Sequence, residues 1–296
     1  MKTAAAVMPA APSRAADFLT LTKPRLNSLV VISAGIGYYL GAGDAPSAVA
    51  VAHTLVGSAL VAGGAAAFNQ AAERDIDAAM ERTRGRPVAA GRVTPAEARL
   101  IAAALALLGL LELALATNVA AAGVALATLI GYAAVYTPLK RRTPWATLVG
   151  AVPGALPPVI GWTAARGAAT AEAWVLFGIV FLWQMPHFHA LSWLYRDDFG
   201  RAGLPLLAVL DDTGRQAAAQ GLLCAALLLP MSLTAALVGL GGPLYLAAAA
   251  LLGAAFVAAA GRFALERSAG RARTLFRASL AYLPLLWGLL VFERAL

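Results

Sequence analysis

Nine apolar stretches, running roughly over 25–43, 49–70, 98–117, 119–136, 146–164, 173–192, 218–239, 243–260 and 275–292, alternate with shorter polar connections. Each is about long enough to cross a bilayer as an α-helix. Period-two alternation, the mark of a membrane barrel, is absent. The pattern predicts an all-α, polytopic membrane protein, a nine-helix bundle forming a single domain over 1–296 with a short cytoplasmic N-terminal segment, 1–24. The longest polar segments, 72–97 and 195–217, follow the second and sixth spans. That placement suggests two related four-helix halves plus one extra helix. Both segments face the same side, where they would roof an apolar cavity suited to a substrate with an anionic head and a greasy tail.

Composition strengthens the membrane reading. The chain is 60% hydrophobic and 13% charged, about half the charge of an ordinary soluble domain. Its abundant Ala and Gly suit close helix packing in lipid. A net charge of +8 raises the question of nucleic acid, but the cations are distributed in another way. Four precede the first span, six lie around 74–99, three at 140–142, three at 196–215 and five at 262–277, with only Arg166 and Arg294 opposite. By the positive-inside rule the crowded loops and the N-terminus are cytoplasmic and the C-terminus lies on the other side of a bacterial-type inner membrane. No nucleic-acid partner is expected. The first twenty residues lack a continuous apolar core and are read as carrying no signal peptide. Cys224, the only cysteine, excludes an internal disulfide and is read as packing.

The chemistry concentrates in NQAAERDIDAAMERTRGRP, from Asn69 to Pro87, with four acids and four arginines at the edge of an apolar chain. Asn69, Glu73 and Asp77 are spaced by four, so on a helix each is rotated about 40° from the last and all three share one face. Oxygen ligands on one face suit a hard cation such as Mg²⁺. The outer two lie roughly 12 Å apart along the axis, so the row fits several ions carrying a polyanion. Arg82, Arg84 and Arg86 follow as phosphate binders. Asp75 lies about 240° around from Asn69, so it either points elsewhere and pairs with an arginine or serves as a further ligand. Lys140 and Tyr136, four apart, share a face at the end of the fourth span, the lysine reaching a phosphate and the hydroxyl the cavity. Arg141 and Arg142 complete that basic run, which also fixes topology. Lys23 and Arg25 are further candidates for contact with the polyanion. His53 is read as packing, without polar company in its span. Trp145, Trp174 and Trp193 sit near span ends as interfacial anchors or substrate walls.

The motif Asn-x-x-x-Glu-x-Asp-x-Asp, continuing through Met80, Arg82-Thr83 and Arg86-Pro87, resembles the first acidic motif of the UbiA superfamily of intramembrane prenyltransferases. The likeness is greatest to the branch that farnesylates haem. Leu21-Thr22-Lys23-Pro24-Arg25, the segment from Tyr136 to Trp145, and Trp183-Gln184-Met185-Pro186-His187-Phe188 carry the same resemblance. It implies a transferase in which Mg²⁺ and farnesyl diphosphate meet protohaem IX, a substrate rather than a cofactor. A haem vinyl group attacks the allylic carbon, and water captures the resulting cation to leave a hydroxyethylfarnesyl group. Membrane lipid, and a downstream haem A synthase or oxidase assembly, are the implied partners. The residues implied in catalysis are Asn69, Glu73, Asp77, Lys140 and Tyr136, the first three also as metal ligands. Those implied in substrate binding are Lys23, Arg25, Arg82, Arg86, Arg141, His187, His189, Asp197 and Asp198.

One departure concerns the second cytoplasmic loop. Quinone-making members resemble D-x-x-x-D there, whereas Tyr195-Arg196-Asp197-Asp198 places Tyr195 where the first acid belongs. This leaves open the metal count and the role of Asp197 and Asp198. His187 and His189, two apart, differ by about 200° on a helix and cannot grip one metal from the same face, although Pro186 can bend that geometry. Burying histidine in a membrane is costly, so contact of one of them with haem iron or a propionate is expected. A prenyltransferase acting on a quinone precursor is the alternative. A CDP-alcohol phosphotransferase also spaces acids by four, but its Asp-Gly and Ala-Arg elements are missing. A transporter would gather its ionisable groups near the midplane, not at the cytoplasmic ends.

Overall fold

The computed structural model describes residues 13–43 and 46–295. Residues 1–12, which hold Lys2 and most of the stretch read as carrying no signal peptide, fall outside it, as does Leu296. Among the described residues run nine long helical rods: α1 Pro24–Gly41, α2 Ala48–Ala72, α3 Pro95–Ala116, α4 Val119–Leu139, α5 Ala146–Arg166, α6 Ala171–Leu194, α7 Arg215–Leu237, α8 Pro243–Leu265 and α9 Ala269–Arg294. Eight of them are long and apolar enough to cross a membrane. The ninth is α1, whose first turns hold Arg25, Asn27 and Ser28.

All nine expected stretches are helical, eight of them long and apolar enough to cross a membrane, and several helices run further than hydropathy suggests. α9 begins at Ala269 rather than 275, because Ser268 caps it by accepting from the Arg271 amide at 3.3 Å. Its first turns are cationic yet helical, so the apolar stretch ends before the helix does. α3 starts at a capping box in which Thr94 and Glu97 satisfy each other's amides, with Pro95 at the first helical position.

Helices α1 to α5 form one group, in which α1 packs on α2 and α5 and α2 packs along α3; helices α6 to α9 form a four-helix half joined to the first through α5 and α1. Lipid supplies no hydrophobic drive between helices, so the crossings depend on small residues. A Cβ on Gly161 of α5 would stand 1.7 Å from the Ala34 carbonyl oxygen of α1, and one on Gly109 of α3 would stand 2.7 Å from the Gly57 carbonyl of α2. The four-helix half has an aromatic core, with Trp183, Tyr245, Phe256, Phe263, Tyr282 and Trp287 buried together. Several of its polar atoms find partners: Ser232 Oγ lies 2.8 Å from Tyr282 Oη, and Tyr245 Oη donates to the Ser232 carbonyl at 2.8 Å, whereas Trp287 Nε1 has none.

His53 is not without polar company. Its Nδ1 lies 2.7 Å from Glu112 Oε1. Helices α2 and α3 run antiparallel, which brings a residue near the start of one level with a residue near the end of the other. Glu112 was hidden inside an uninterrupted apolar run.

At one end of the bundle two short helices, Arg74–Ala79 and Arg196–Arg201, leave the ends of α2 and α6. They meet through Ile76, Met80, Phe199, Leu204 and Leu206, which bury one another over the bundle. The two polar segments do form a common roof.

Candidate active site

The acidic row is bent. Its residues do not share one straight helical face, because α2 stops at Ala72 and Glu73 adopts φ −116° and ψ 24°. The i to i−4 bonds still run through the bend, from the Glu73 amide to the Asn69 carbonyl at 3.0 Å and from Asp77 to Glu73 at 2.8 Å. Asn69, Glu73 and Asp77 are only 3, 2 and 1% exposed. Charges so placed require partners.

Each of the three has a cation. Lys23 Nζ donates to Asn69 Oδ1 at 2.9 Å, Arg86 Nη1 donates to Asp77 Oδ1 at 2.6 Å, and Lys140 pairs with Glu73. The Lys140 ammonium also lies 5.6 Å from the centre of the Tyr136 ring. Burial, with Arg86 nearby, pushes the Lys23 ammonium down to about 7. Three cations thus face two carboxylates around one amide. Asp77 Oδ2 and the Asn69 amide nitrogen are buried without any hydrogen bond. A buried carboxylate oxygen with no donor is costly to leave so, and it has the chemistry a hard cation requires. The residues present therefore fit Mg²⁺.

Tyr136 reaches this cluster through a local irregularity in α4. Residues Gly131–Tyr136 form a π-helical turn. Pro138 has no N–H to continue the α-register, and the Thr137 amide and hydroxyl both donate to the Tyr132 carbonyl, the hydroxyl at 2.8 Å. The turn sets the Tyr132 and Tyr136 rings 5.4 Å apart. Sequence spacing missed the π turn and Tyr132, for which Pro138 was the available signal.

Below the cluster opens an apolar cavity of about 190 Å³ between α1, α2, α4 and α5. Lys23 and Asn27 stand at its mouth, Val61, Ala62, Ala65 and Ala66 form its α2 wall, and Tyr132, Pro153 and Ile160 lie opposite. A chain of one hydrocarbon's width attached to an anionic head fits this arrangement.

Other expected residues lie elsewhere. Arg141 forks onto Asp75 at 2.7 and 2.9 Å, as the helical phase of Asp75 suggested, and holds its carboxyl below the usual range. Arg25 is exposed, and so is Asp197. Asp198 is buried and accepts from the Glu81 and Arg82 amides at 3.2 and 3.3 Å while pairing with Arg201, so it ties the second loop to the first. The Arg82 guanidinium lies 5.5 Å from the centre of the Tyr195 ring. Tyr195 itself has φ −116° and ψ 23°, the conformation of Glu73. The histidines are not brought to the acidic row. His187 is stacked between Trp183 and Phe276, with Nδ1 2.8 Å from Ser279 Oγ. His189 is buried, with Nε2 2.8 Å from Gln220 Oε1. Trp145 and Trp174 are largely exposed, as interfacial anchors are, whereas Trp193 packs edge-on against Phe263.

A buried acid and cation cluster beside an apolar cavity, within a helical membrane bundle, is the arrangement of an intramembrane prenyltransferase. The chain belongs to the UbiA prenyltransferase family, whose model matches residues 30–283. It is 45% identical to the protoheme IX farnesyltransferase of Solibacter usitatus over 94% of this chain and 98% of that one. It is 42% identical to that of Opitutus terrae over 97% of each. Among solved structures, a UbiA homologue from Aeropyrum pernix aligns with TM-score 0.72 and 24% identity over 91% of this chain and 98% of that one. A UbiA homologue from Archaeoglobus fulgidus bound to GPP and Mg²⁺ aligns with TM-score 0.69 and 16% identity over 93% and 99%. These likenesses establish the fold of a multi-pass membrane prenyltransferase.

Proposed function

We propose that this protein transfers the farnesyl group of farnesyl diphosphate to a vinyl group of protohaem IX, with addition of water, to give haem O and diphosphate. One observation carries the donor half of the reading: Lys23 belongs to both parts of the site, donating to Asn69 in the polar cluster while lining the mouth of the apolar cavity. A diphosphate held by the cluster sends its prenyl chain straight into hydrocarbon surroundings. The acceptor is supported by the relatives, several of them protoheme IX farnesyltransferases at 39–45% identity over nearly the whole chain. Tyr195 in place of an acid in the second loop favours haem over a quinone precursor.

The mechanism follows from the groups present. Asn69, Glu73 and Asp77 would hold Mg²⁺, which supplies charge neutralisation to the departing diphosphate. Lys23, Arg86 and Lys140 surround the same place and stabilise charge as it develops on the leaving oxygens. Glu73 and Asp77 hold two of these cations in position until the substrate arrives. As the allylic carbon–oxygen bond breaks, its electron pair leaves with diphosphate. The vinyl π electrons form the new carbon–carbon bond, and water adds to the resulting cation with loss of a proton. Tyr132 lines the cavity and Tyr136 lies 5.4 Å from Tyr132 between ring centres, and a ring quadrupole there would stabilise an allylic cation. Apolar walls from α1, α2 and α5 keep stray water away from it. Contact with haem iron or a propionate is assigned to His187 through Nε2, because its Nδ1 is the nitrogen that meets Ser279, whereas in His189 Nε2 is the one that meets Gln220. The cation-rich loops support an inner-membrane orientation with the site on the cytoplasmic side.

Incubation of purified protein with protohaem, Mg²⁺ and farnesyl diphosphate tests the proposal by the mass of the haem product and by released pyrophosphate. A haem heavier by a farnesyl group plus water is expected. Unchanged haem alongside prenylation of a quinone precursor would replace haem as acceptor.

A further inference from the structure

The α2 wall of the apolar cavity is built from Ala66, Ala65, Ala62, Val61 and Ser58, and no α2 residue before Ser58 lines it. These positions recur every three or four residues, which is one helix face descending from the acidic row into the membrane. Ser58 is 3% exposed, and its hydroxyl has no hydrogen-bond partner. It is the deepest α2 side chain on the cavity and carries no polar assignment of its own. Facing it from α5 is Ile160, with Thr128 and Leu129 contributed by α4.

The depth of this face can be measured along the helix. From Asn69, whose amide meets Lys23, to Ser58 is eleven residues, or about 16 Å at the helical rise. Extended chain advances about 3.5 Å for every three bonds, so a four-bond isoprene repeat advances roughly 4.7 Å. Three repeats then need about 14 Å and four about 19 Å. The wall accommodates the first and not the second.

We propose that Ser58 is a specificity-determining residue that sets the length of prenyl chain the enzyme accepts, its small side chain closing the cavity at three isoprene units. This rests on the reading of the site as a prenyl diphosphate site, and it adds which donor is selected and where. Size, and not the hydroxyl, does the selecting. A larger side chain at Ser58 shortens the cavity from its floor and leaves the polar cluster about 16 Å away unaltered. One turn higher, a larger side chain at Ala62 shortens it further.

The test measures binding of geranyl, farnesyl and geranylgeranyl diphosphate with Mg²⁺ by titration calorimetry in detergent, without any acceptor. Wild-type protein is expected to bind farnesyl diphosphate at least tenfold more tightly than geranylgeranyl diphosphate. Ser58→Phe is expected to lose at least tenfold in affinity for farnesyl diphosphate while keeping geranyl diphosphate within threefold. Retained geranyl binding also shows that the variant is folded. Ser58→Ala, which removes the hydroxyl and keeps the side chain small, is expected to preserve the preference for farnesyl over geranylgeranyl diphosphate. If Ser58→Phe folds but binds farnesyl and geranyl diphosphate as wild type does, or if wild type binds all three equally, the ruler is overturned. If Ser58→Phe fails to fold, Ala62→Leu decides by the same farnesyl-to-geranyl ratio. Failure of wild type to bind any donor would sink the reading of the site itself, a distinct result.

Discussion

Replacing Asp77 by Asn keeps the shape of the side chain and removes one charge from the centre of the cluster. Asp77 is 1% exposed, and its Oδ1 accepts from Arg86 Nη1 at 2.6 Å. Breaking a buried ion pair costs about 3–5 kcal/mol, most of it from the partner left without compensation. Here Arg86 keeps 20% of its side chain exposed, so water relieves part of that cost and about 2–3 kcal/mol is expected. The effect on turnover should be separate and larger in consequence. A charged group that acts on the developing leaving group contributes about 2.7–4 kcal/mol to the barrier, a hundred- to thousandfold in kcat. Asp75→Asn is the control two residues away. Its carboxylate is 70% exposed and meets Arg141, itself 39% exposed, so about 0–1 kcal/mol and less than tenfold in turnover are expected. The assay is pyrophosphate release against Mg²⁺ concentration, with thermal unfolding in detergent run on the same preparations. Near-normal Mg²⁺-dependent turnover in a folded Asp77→Asn protein would refute the assignment. So would equal losses from the two variants.

Three further predictions follow from the fold and the second half. Accessibility tags at residues 85, 141, 205 and 270 should all report the cytoplasm and a tag after 296 the far side; any of the four loops found outside would break the nine-span scheme. His187→Ala should weaken protohaem binding or shift its absorption band and spare Mg²⁺-farnesyl diphosphate, with His189→Ala smaller because its Nε2 is held by Gln220; unchanged haem affinity and spectrum in both single variants and the double would make the rings structural. Gly161→Ala should lower the melting temperature by several degrees, corresponding to about 1–3 kcal/mol, because its Cβ would meet the Ala34 carbonyl at 1.7 Å; an unaltered melt would show that α1 shifts freely on α5.

Much of this architecture was readable in the chain, for identifiable reasons. Hydropathy marks a membrane helix strongly, and the spacing of Asn69, Glu73 and Asp77 survives in the fold because hydrogen bonding continues through Glu73. The bend itself was not readable: no Pro or Gly interrupts the helix-favouring residues there, and packing of the two short helices on each other accompanies it. The contacts of Asp198 were not readable either, since beside Arg201 its partners are backbone amides more than a hundred residues away. The pairing of Lys140 with Glu73 and of Arg86 with Asp77 likewise depends on how loops close over one another. Glu112 escaped notice because a single acid scarcely lowers the hydropathy of a helix of 22 residues. Its partner is visible only once α2 and α3 lie side by side.

The matching bends at Glu73 and Tyr195 give the roof two supports of one shape. Two segments separated by 122 positions (195 less 73) leave their membrane helices with the same backbone angles and meet over the bundle. At the offsets held by Asn69, Glu73 and Asp77, the later segment carries Leu191, Tyr195 and Phe199. The same backbone shape is therefore used once to gather buried polar groups and once to present an apolar and aromatic surface that the first can pack against.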